Sequence, residues 1–161
     1  MSSALPDGAR AFVVTASNRA AAGVYEDRSG QALAAGLRDL GFAVEGPHVH
    51  PDDVDELEAV LGNAVDLGFD VVLTTGGTGL SPTDVTPEAT QRVLEREAPG
   101  LAEAMRLVNP LGRLSRGMAG TIGETLILNT PGSPKGAVEC LEAVLDVVPH
   151  ALELLRGGRP H

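Results

Sequence analysis

The densest chemistry in the chain lies in three short stretches. The first, Thr74–Thr90 (TTGGTGLSPTDVTPEAT), packs Gly76, Gly77 and Gly79 into the turn after a strand-like run and places one carboxylate, Asp84, just beyond it. Glycines let backbone N–H groups approach an anion with no Cβ in the way, and the hydroxyls of Thr75 and Thr78 are further donors. A plain tight turn explains the glycines equally. The spacing is neither that of a dinucleotide-binding loop nor, lacking a Gly-Lys-Ser/Thr ending, that of a Walker A loop. Asp84 adds a constraint, because a carboxylate beside an anion cradle repels phosphate unless a divalent cation sits between them. As a turn or capping residue ahead of Thr86 it would need no ligand.

The second stretch is His50-Pro51-Asp52-Asp53, where the aspartates cap a helix or serve a site like that of Asp84. His48 and His50 form an H-x-H pair with no third metal ligand in reach by sequence. The third is Asn129–Gly136 (NTPGSPKG). Pro131, Gly132, Ser133 and Pro134 precede the chain's one lysine, Lys135, and Ser133 caps the next helix, whose N-terminal N–H groups and Lys135 would make a second anion site. Ser115 and Arg116 lie before a hairpin and offer a guanidinium for phosphate or carboxylate. Ser17–Gly30 reads as a polar loop, with Ser29 capping the following helix.

The elements around these loops follow from hydrophobic period. AFVVTA (11–16), FAVEGPHV (42–49) and DVVLTT (70–75) read as strands, the last unalternating as for a strand covered on both faces. Helices follow each: 30–41; the segment after Asp52 or Asp53; and ATQRVLERE, opened by Thr86 as N-cap with Pro87 at the first helical position. After Pro99-Gly100 the LAEAMRLVN segment continues. Within 114–131 a hairpin follows Arg116 and feeds a core strand over Thr125–Asn129, and a final helix over 135–155 carries a kink at Pro149. The order predicts a three-layer α/β/α sandwich with a mostly parallel sheet, as one domain over 1–161 with its core at about 10–155. Ligands of such sheets sit beyond the carboxyl ends of the strands, where these loops fall.

Composition narrows the partners. Of 161 residues 43% are apolar but only 2% aromatic, so aliphatics must fill the core. The net charge of −10, with Lys135 the only lysine, offers no basic field for nucleic acid. No window approaches the roughly 18 apolar residues of a membrane-spanning helix, the N-terminus has no apolar signal core, and a cytoplasmic protein is expected. The lone cysteine, Cys140, reads as a small buried residue.

Together, ASNRAAAGVYEDRSG, HPDD, TTGGTGLSPTDVTPEAT, APGLAEAMR, LSRGMAG and LILNTPGSPKG, in this order over about residues 10–155, resemble the Mog/MoaB family of molybdenum-cofactor biosynthesis, which includes the gephyrin G domain. The resemblance implies a molybdopterin-binding fold that transfers AMP from Mg²⁺-bound ATP to the molybdopterin phosphate, releasing pyrophosphate. It also implies a homo-oligomer, trimer favoured over hexamer, with a molybdate-insertion protein as a further partner. The family's functional aspartates fall on Asp52 and Asp84, expected to position Mg²⁺ or ATP. Its ligand-contacting loops fall on Gly76–Gly79 and Pro131–Pro134. The alternative is a non-catalytic molybdopterin carrier of the same fold; retention of both aspartates favours the enzyme. A scaffold role lacks a second domain here, and molybdate insertion belongs to a larger protein.

Overall fold

Three short runs rich in valine and leucine form the centre of a six-stranded sheet. A computed structural model of the protein describes residues 4–159, so the ends of the expected 1–161 domain, with part of the polar tail, lie outside the described residues. The elements are β1 (Arg10–Ala16), α1 (Asn18–Ala21), α2 (Arg28–Asp39), β2 (Ala43–His50), α3 (Val54–Asp66), β3 (Val71–Thr75) and α4 (Thr86–Val93). They continue with β4 (Arg96–Glu97), α5 (Pro99–Arg106), a 3₁₀ turn (Pro110–Leu114), β5 (Ala119–Ile122), β6 (Thr125–Thr130), α6 (Pro134–Val144) and α7 (Val148–Leu155). Strand order is β2-β1-β3-β6-β5-β4. β1 runs parallel to β2 and β3, and β3 parallel to β6; β5 and β4 return antiparallel.

Alternate side chains of a strand face opposite sides of the sheet, and here both sides are covered. Ala11, Val13, Val71, Leu73, Leu126 and Leu128 pack with α2, α5, α6 and α7 in one core, whereas Phe12, Val14, Val72 and Ile127 pack with α3 and α4 in the other. The sandwich is therefore three-layered, as the period predicts, and its filling is almost wholly aliphatic. At the opposite end of the sheet from the loaded loops, Asp70 accepts from the backbone of Arg10 at 2.8 Å and from the Arg156 guanidinium at 2.7 Å, tying the end of α7 to β1 and β3.

Four local expectations change. Asp27, not Ser29, caps α2, its carboxylate accepting from the Gly30 N–H at 3.0 Å; Ser29 lies buried in the first turn. Thr86 is not an N-cap but the first residue of α4, pulled inward where its N–H donates to the Gly77 carbonyl. The helix over ATQRVLERE stops at Val93 because Leu94 is extended, and Glu95 and Ala98 donate backbone hydrogen bonds to Thr121 and Ala119 of β5, making 96–97 an edge strand. The helix expected over 135–155 is two helices. Pro149 stands in the first turn of α7, where its missing N–H and fixed φ are tolerated, so the predicted kink is a break before it.

Leu73 is fully buried on the central strand. Leu73→Ala is expected to lower unfolding free energy by about 2–5 kcal/mol in denaturant titration; a loss below about 1 kcal/mol would mean that this core collapses around the gap.

Candidate functional site

The parallel register brings the carboxyl ends of β1, β2, β3 and β6 to one edge, and the glycine turn after β3 is folded into the space between them. Gly76 (φ +93°) presses on the carbonyl of Ala16 at the end of β1, and its N–H donates to Thr130 of β6 at 3.1 Å. Gly77 (φ +67°) lies against the Thr86 hydroxyl of α4, and a Cβ there would stand 3.0 Å from Asp52 Oδ1. Neither position admits a side chain: left-handed backbone and close approach both require glycine.

Asp52 and Asp84 both border this turn, Asp52 at Gly77 and Asp84 at Gly79. Asp52 is held by a reciprocal pair with Asn18: the Asn18 N–H donates to Asp52 Oδ2 at 3.1 Å, and the Asp52 N–H to Asn18 Oδ1 at 2.8 Å. That division leaves Asp53 to cap α3 through the Glu56 N–H at 2.8 Å. Asp84 Oδ2 accepts from the Ser81 N–H at 3.2 Å and lies 2.9 Å from where a Cβ on Gly79 would stand. Two buried oxygens in this region, Asp52 Oδ1 and Thr86 Oγ1, have no hydrogen-bond partner among the described residues. Burial, and to a smaller degree the charge of Asp84, raise the Asp52 carboxyl above its ordinary value, against the lowering effect of the Asn18 N–H.

Arg116 locks the outside of the turn. Its backbone N–H donates to Thr78 O at 2.7 Å, its Nε to Gly79 O at 2.8 Å and one terminal nitrogen to Asp84 O at 2.9 Å, while Glu88 pairs with it at 2.6 Å. The guanidinium thus fastens the loop that carries Asp84, and in turn holds the Glu88 carboxyl below its usual range. Beneath the turn, the Asn129 amide donates to Thr74 and Thr90 hydroxyls at 2.9 and 3.0 Å and its carbonyl oxygen accepts from the Met118 N–H, joining β3, β6, α4 and the approach to β5.

On the far side of the Pro131–Pro134 loop a cavity of about 350 Å³ opens between α5, the 3₁₀ turn and α6. Ser115, Pro131, Ser133 and Lys135 line it, with Met105, Leu111 and Glu139 among the other lining residues. Ser133 caps α6, accepting from the Gly136 N–H at 3.1 Å. Gly132 approaches Gly76, the Cβ position of the one being 3.4 Å from the Cα of the other, so the cavity adjoins the glycine turn.

Residues 12–150 match the family described as a probable molybdopterin binding domain. The chain belongs to this family. The molybdopterin adenylyltransferase of Helicobacter pylori is 41% identical over 156 residues, covering 91% of this chain and 87% of that protein. That of Escherichia coli K12 is 38% identical, covering 92% and 86%. The crystal structure of the molybdopterin biosynthesis enzyme MoaB from Thermus thermophilus superposes with a TM-score of 0.86 at 49% identity, covering 92% of this chain and 96% of that one. The family resemblance read from the motif order is borne out.

Within this family fold the predicted residues separate into two neighbouring groups. Asp52, Asp84 and Gly76–Gly79 surround the turn; Ser115, Pro131, Ser133 and Lys135 wall the cavity; Gly132 and Arg116 lie at the junction. Thr75 is buried and its hydroxyl donates to Pro131 O at 2.7 Å, so it joins the two loops where the sequence suggested a ligand donor. Arg116 likewise braces a loop, its donors engaged by carbonyls and Glu88. Cys140 is buried, as expected; burial pushes its thiol up to about 11, and the thiol donates to Met105 O. In the His48/His50 pair, His48 stacks on Phe12 with ring centroids 4.8 Å apart, and His50 meets Glu56 at 3.0 Å. Sequence reasoning missed Asn18 as the holder of Asp52, although its type and its place at the end of β1 were visible, and missed Glu139, which helical spacing places one turn after Lys135.

Because the folded Asp52 carboxyl sits above its unfolded value, the native chain retains a proton that the unfolded chain has released, and stability falls as pH rises through that interval. Asp52→Asn removes this dependence. It should melt above the wild type at pH 7, with the advantage shrinking towards about pH 4 in thermal denaturation; equal melting temperatures across the range would contradict a desolvated carboxylate.

Proposed function

We propose that the protein is a molybdopterin adenylyltransferase, and that Asp52 and Asp84 are its catalytic and metal-positioning carboxylates. The carrying observation is the placement of these two carboxylates around one glycine turn. The names of the curated relatives, at 38–41% identity over most of the chain, support the reaction class. A phosphate oxygen of molybdopterin attacks the α-phosphorus of ATP; the bond from that phosphorus to the bridging oxygen breaks; pyrophosphate leaves with the electron pair. The attacking phosphate is already ionised at neutral pH, so no general base is needed, and the demand falls on charge neutralisation and alignment.

The residues present fit Mg²⁺. Their donors are hard oxygens, Asp52 Oδ1 has no protein partner, and no group of three His, Cys, Asp or Glu able to hold a metal exists among the described residues. Mg²⁺ takes only one or two carboxylates when substrate phosphates complete its shell. When bound it would neutralise triphosphate charge; Asp52 and Asp84 would hold it. The chain's own contribution is rigidity: Asn18 fixes Asp52, Ser81 and the Arg116 clamp fix Asp84, and the backbone N–H groups of Gly77, Thr78, Gly79 and Lys135 would present donors to phosphates. Lys135 adds the positive charge on the molybdopterin side.

The same reading carries a cytoplasmic homotrimer, favoured over a hexamer, that passes its product to a molybdate-insertion protein. The exposed Leu107, Leu111 and Leu114 supply apolar surface of the kind that self-association covers. No helix among the described residues is long and apolar enough to cross a membrane.

Asp84→Asn should reduce pyrophosphate release from ATP, Mg²⁺ and molybdopterin by about 100-fold or more while leaving pterin affinity unchanged. Tight pterin binding by the wild type with no pyrophosphate released would establish the carrier instead.

A further inference from the structure

Of the two buried oxygens without a partner beside the glycine turn, the Thr86 hydroxyl is the one the adenylyl-transfer reading does not use. Other core threonines have engaged hydroxyls. Those of Thr15, Thr75, Thr90, Thr125 and Thr130 donate to Asp27 or to backbone carbonyls at 2.7–2.9 Å, and that of Thr74 accepts from Asn129. Thr86 is fully buried at the start of α4. Its backbone is fixed on both sides, the N–H donating to Gly77 O at 3.1 Å and the carbonyl accepting from the Thr90 hydroxyl at 2.9 Å. The side chain is therefore held against the turn.

The second oxygen, Asp52 Oδ1, borders the same space. Both atoms lie within 3.0 Å of the point where a Cβ on Gly77 would stand. A hydroxyl carries one donor, and each carboxylate oxygen offers about two acceptor sites. Asp52 Oδ2 already takes the Asn18 N–H at 3.1 Å. Oδ1 can accept a hydroxyl proton with one site and face a cation with the other. Carboxylates that ligate a metal are themselves held by hydrogen bonds, and loss of such a partner typically weakens metal binding by about 10- to 100-fold. The last torsion of aspartate is broad, so the carboxylate can turn towards the hydroxyl with little strain. Burying an unpartnered hydroxyl is unfavourable, and valine has nearly the same shape without it. The hydroxyl thus weakens the fold as it stands and is of use in a state that employs it.

We infer that Thr86 is a positioning residue for Asp52: its hydroxyl donates to Asp52 Oδ1 when the metal–nucleotide complex binds, fixing the carboxylate that holds the cation. The inference rests on the adenylyltransferase reading above and adds α4 to the elements that support Asp52. It also gives the glycine at 77 a further role, because a methyl group there would fill the space across which the bond forms.

The test titrates Mn²⁺ with a non-hydrolysable ATP analogue onto the full-length wild type, Thr86→Val, Thr86→Ser, Asp52→Ala and the Thr86→Val/Asp52→Ala double variant. Bound metal is read by electron paramagnetic resonance, and thermal melting is measured on each protein alone. Thr86→Val is expected to weaken the complex by about 10-fold or more while melting no lower than the wild type. Thr86→Ser keeps wild-type affinity, and the double variant binds no more weakly than Asp52→Ala, because the hydroxyl acts through the carboxylate. Wild-type affinity in Thr86→Val overturns the inference. So does equal weakening in Thr86→Ser, which assigns the loss to packing. Melting of Thr86→Val several degrees below the wild type overturns it as well, since the hydroxyl is then partnered in the protein alone. Losses that add in the double variant overturn it by separating Thr86 from Asp52. If the wild type binds no metal–nucleotide complex, the adenylyltransferase reading falls with the inference; if Asp52→Ala weakens the complex and Thr86→Val does not, that reading stands and the inference alone falls.

Discussion

The site depends on one close approach: the Cα atoms of Gly76 and Gly77 lie where any other residue would drive a side chain into Ala16, Thr86 or Asp52. Through that contact the end of β1, the loop after β2, the turn after β3 and the start of α4 share a few ångströms. A Cβ at residue 77 would press on an Asp52 oxygen that has no hydrogen-bond partner and on an unpartnered threonine hydroxyl. Leaving buried oxygens unsatisfied is unfavourable, and such features concentrate where a ligand completes them. The turn is thus the joint at the carboxyl end of the sheet.

Around that joint, polar groups that look functional in sequence divide into those that face the ligands and those that hold the others still. Arg116, Thr75, Asn129 and Asn18 belong to the second kind. Their hydrogen bonds run to carbonyls, to buried hydroxyls or to Asp52, and each crosses from one element to another. A reaction that needs alignment and charge neutralisation more than proton transfer benefits from such bracing, since the donors are in place before the substrates arrive. The cavity across the Pro131–Pro134 loop stays adjacent to the glycine turn through Gly132 and Gly76.

The strand and helix order was legible because it rests on local signals. The runs AFVVTA and DVVLTT are strands and the aliphatic periodicity between them is helical, so the three-layer class follows. Asp52 and Asp84 stand out in the sequence as carboxylates beside glycine- and proline-rich turns, and the fold brings both to the glycine turn. What failed was set by distant contacts. Asp27 and Ser29 are both cap types, and the Thr15 hydroxyl of β1, donating to Asp27, holds Asp27 at the start of α2; nothing near Thr86 announces that Gly77 will draw it inward. Arg96 and Glu97 look helical until β5 offers an edge to pair with. Arg116 looks like a free cation until Glu88 and two carbonyls close on its guanidinium, and Glu139 is an ordinary helical glutamate until α5 and the 3₁₀ turn build a cavity in front of it.

The central claim, that Asp52 and Asp84 jointly hold the metal of a bound nucleotide, is tested most directly without turnover. Mn²⁺ in place of Mg²⁺, with a non-hydrolysable ATP analogue, is titrated onto the wild type, Asp52→Asn and Asp84→Asn, with bound metal read by electron paramagnetic resonance. The account predicts a metal–nucleotide complex on the wild type that each substitution weakens by about 10-fold or more, with parent-pterin affinity unaltered. Wild-type metal–nucleotide affinity in both variants would contradict it and move the metal, or the nucleotide, away from the glycine turn.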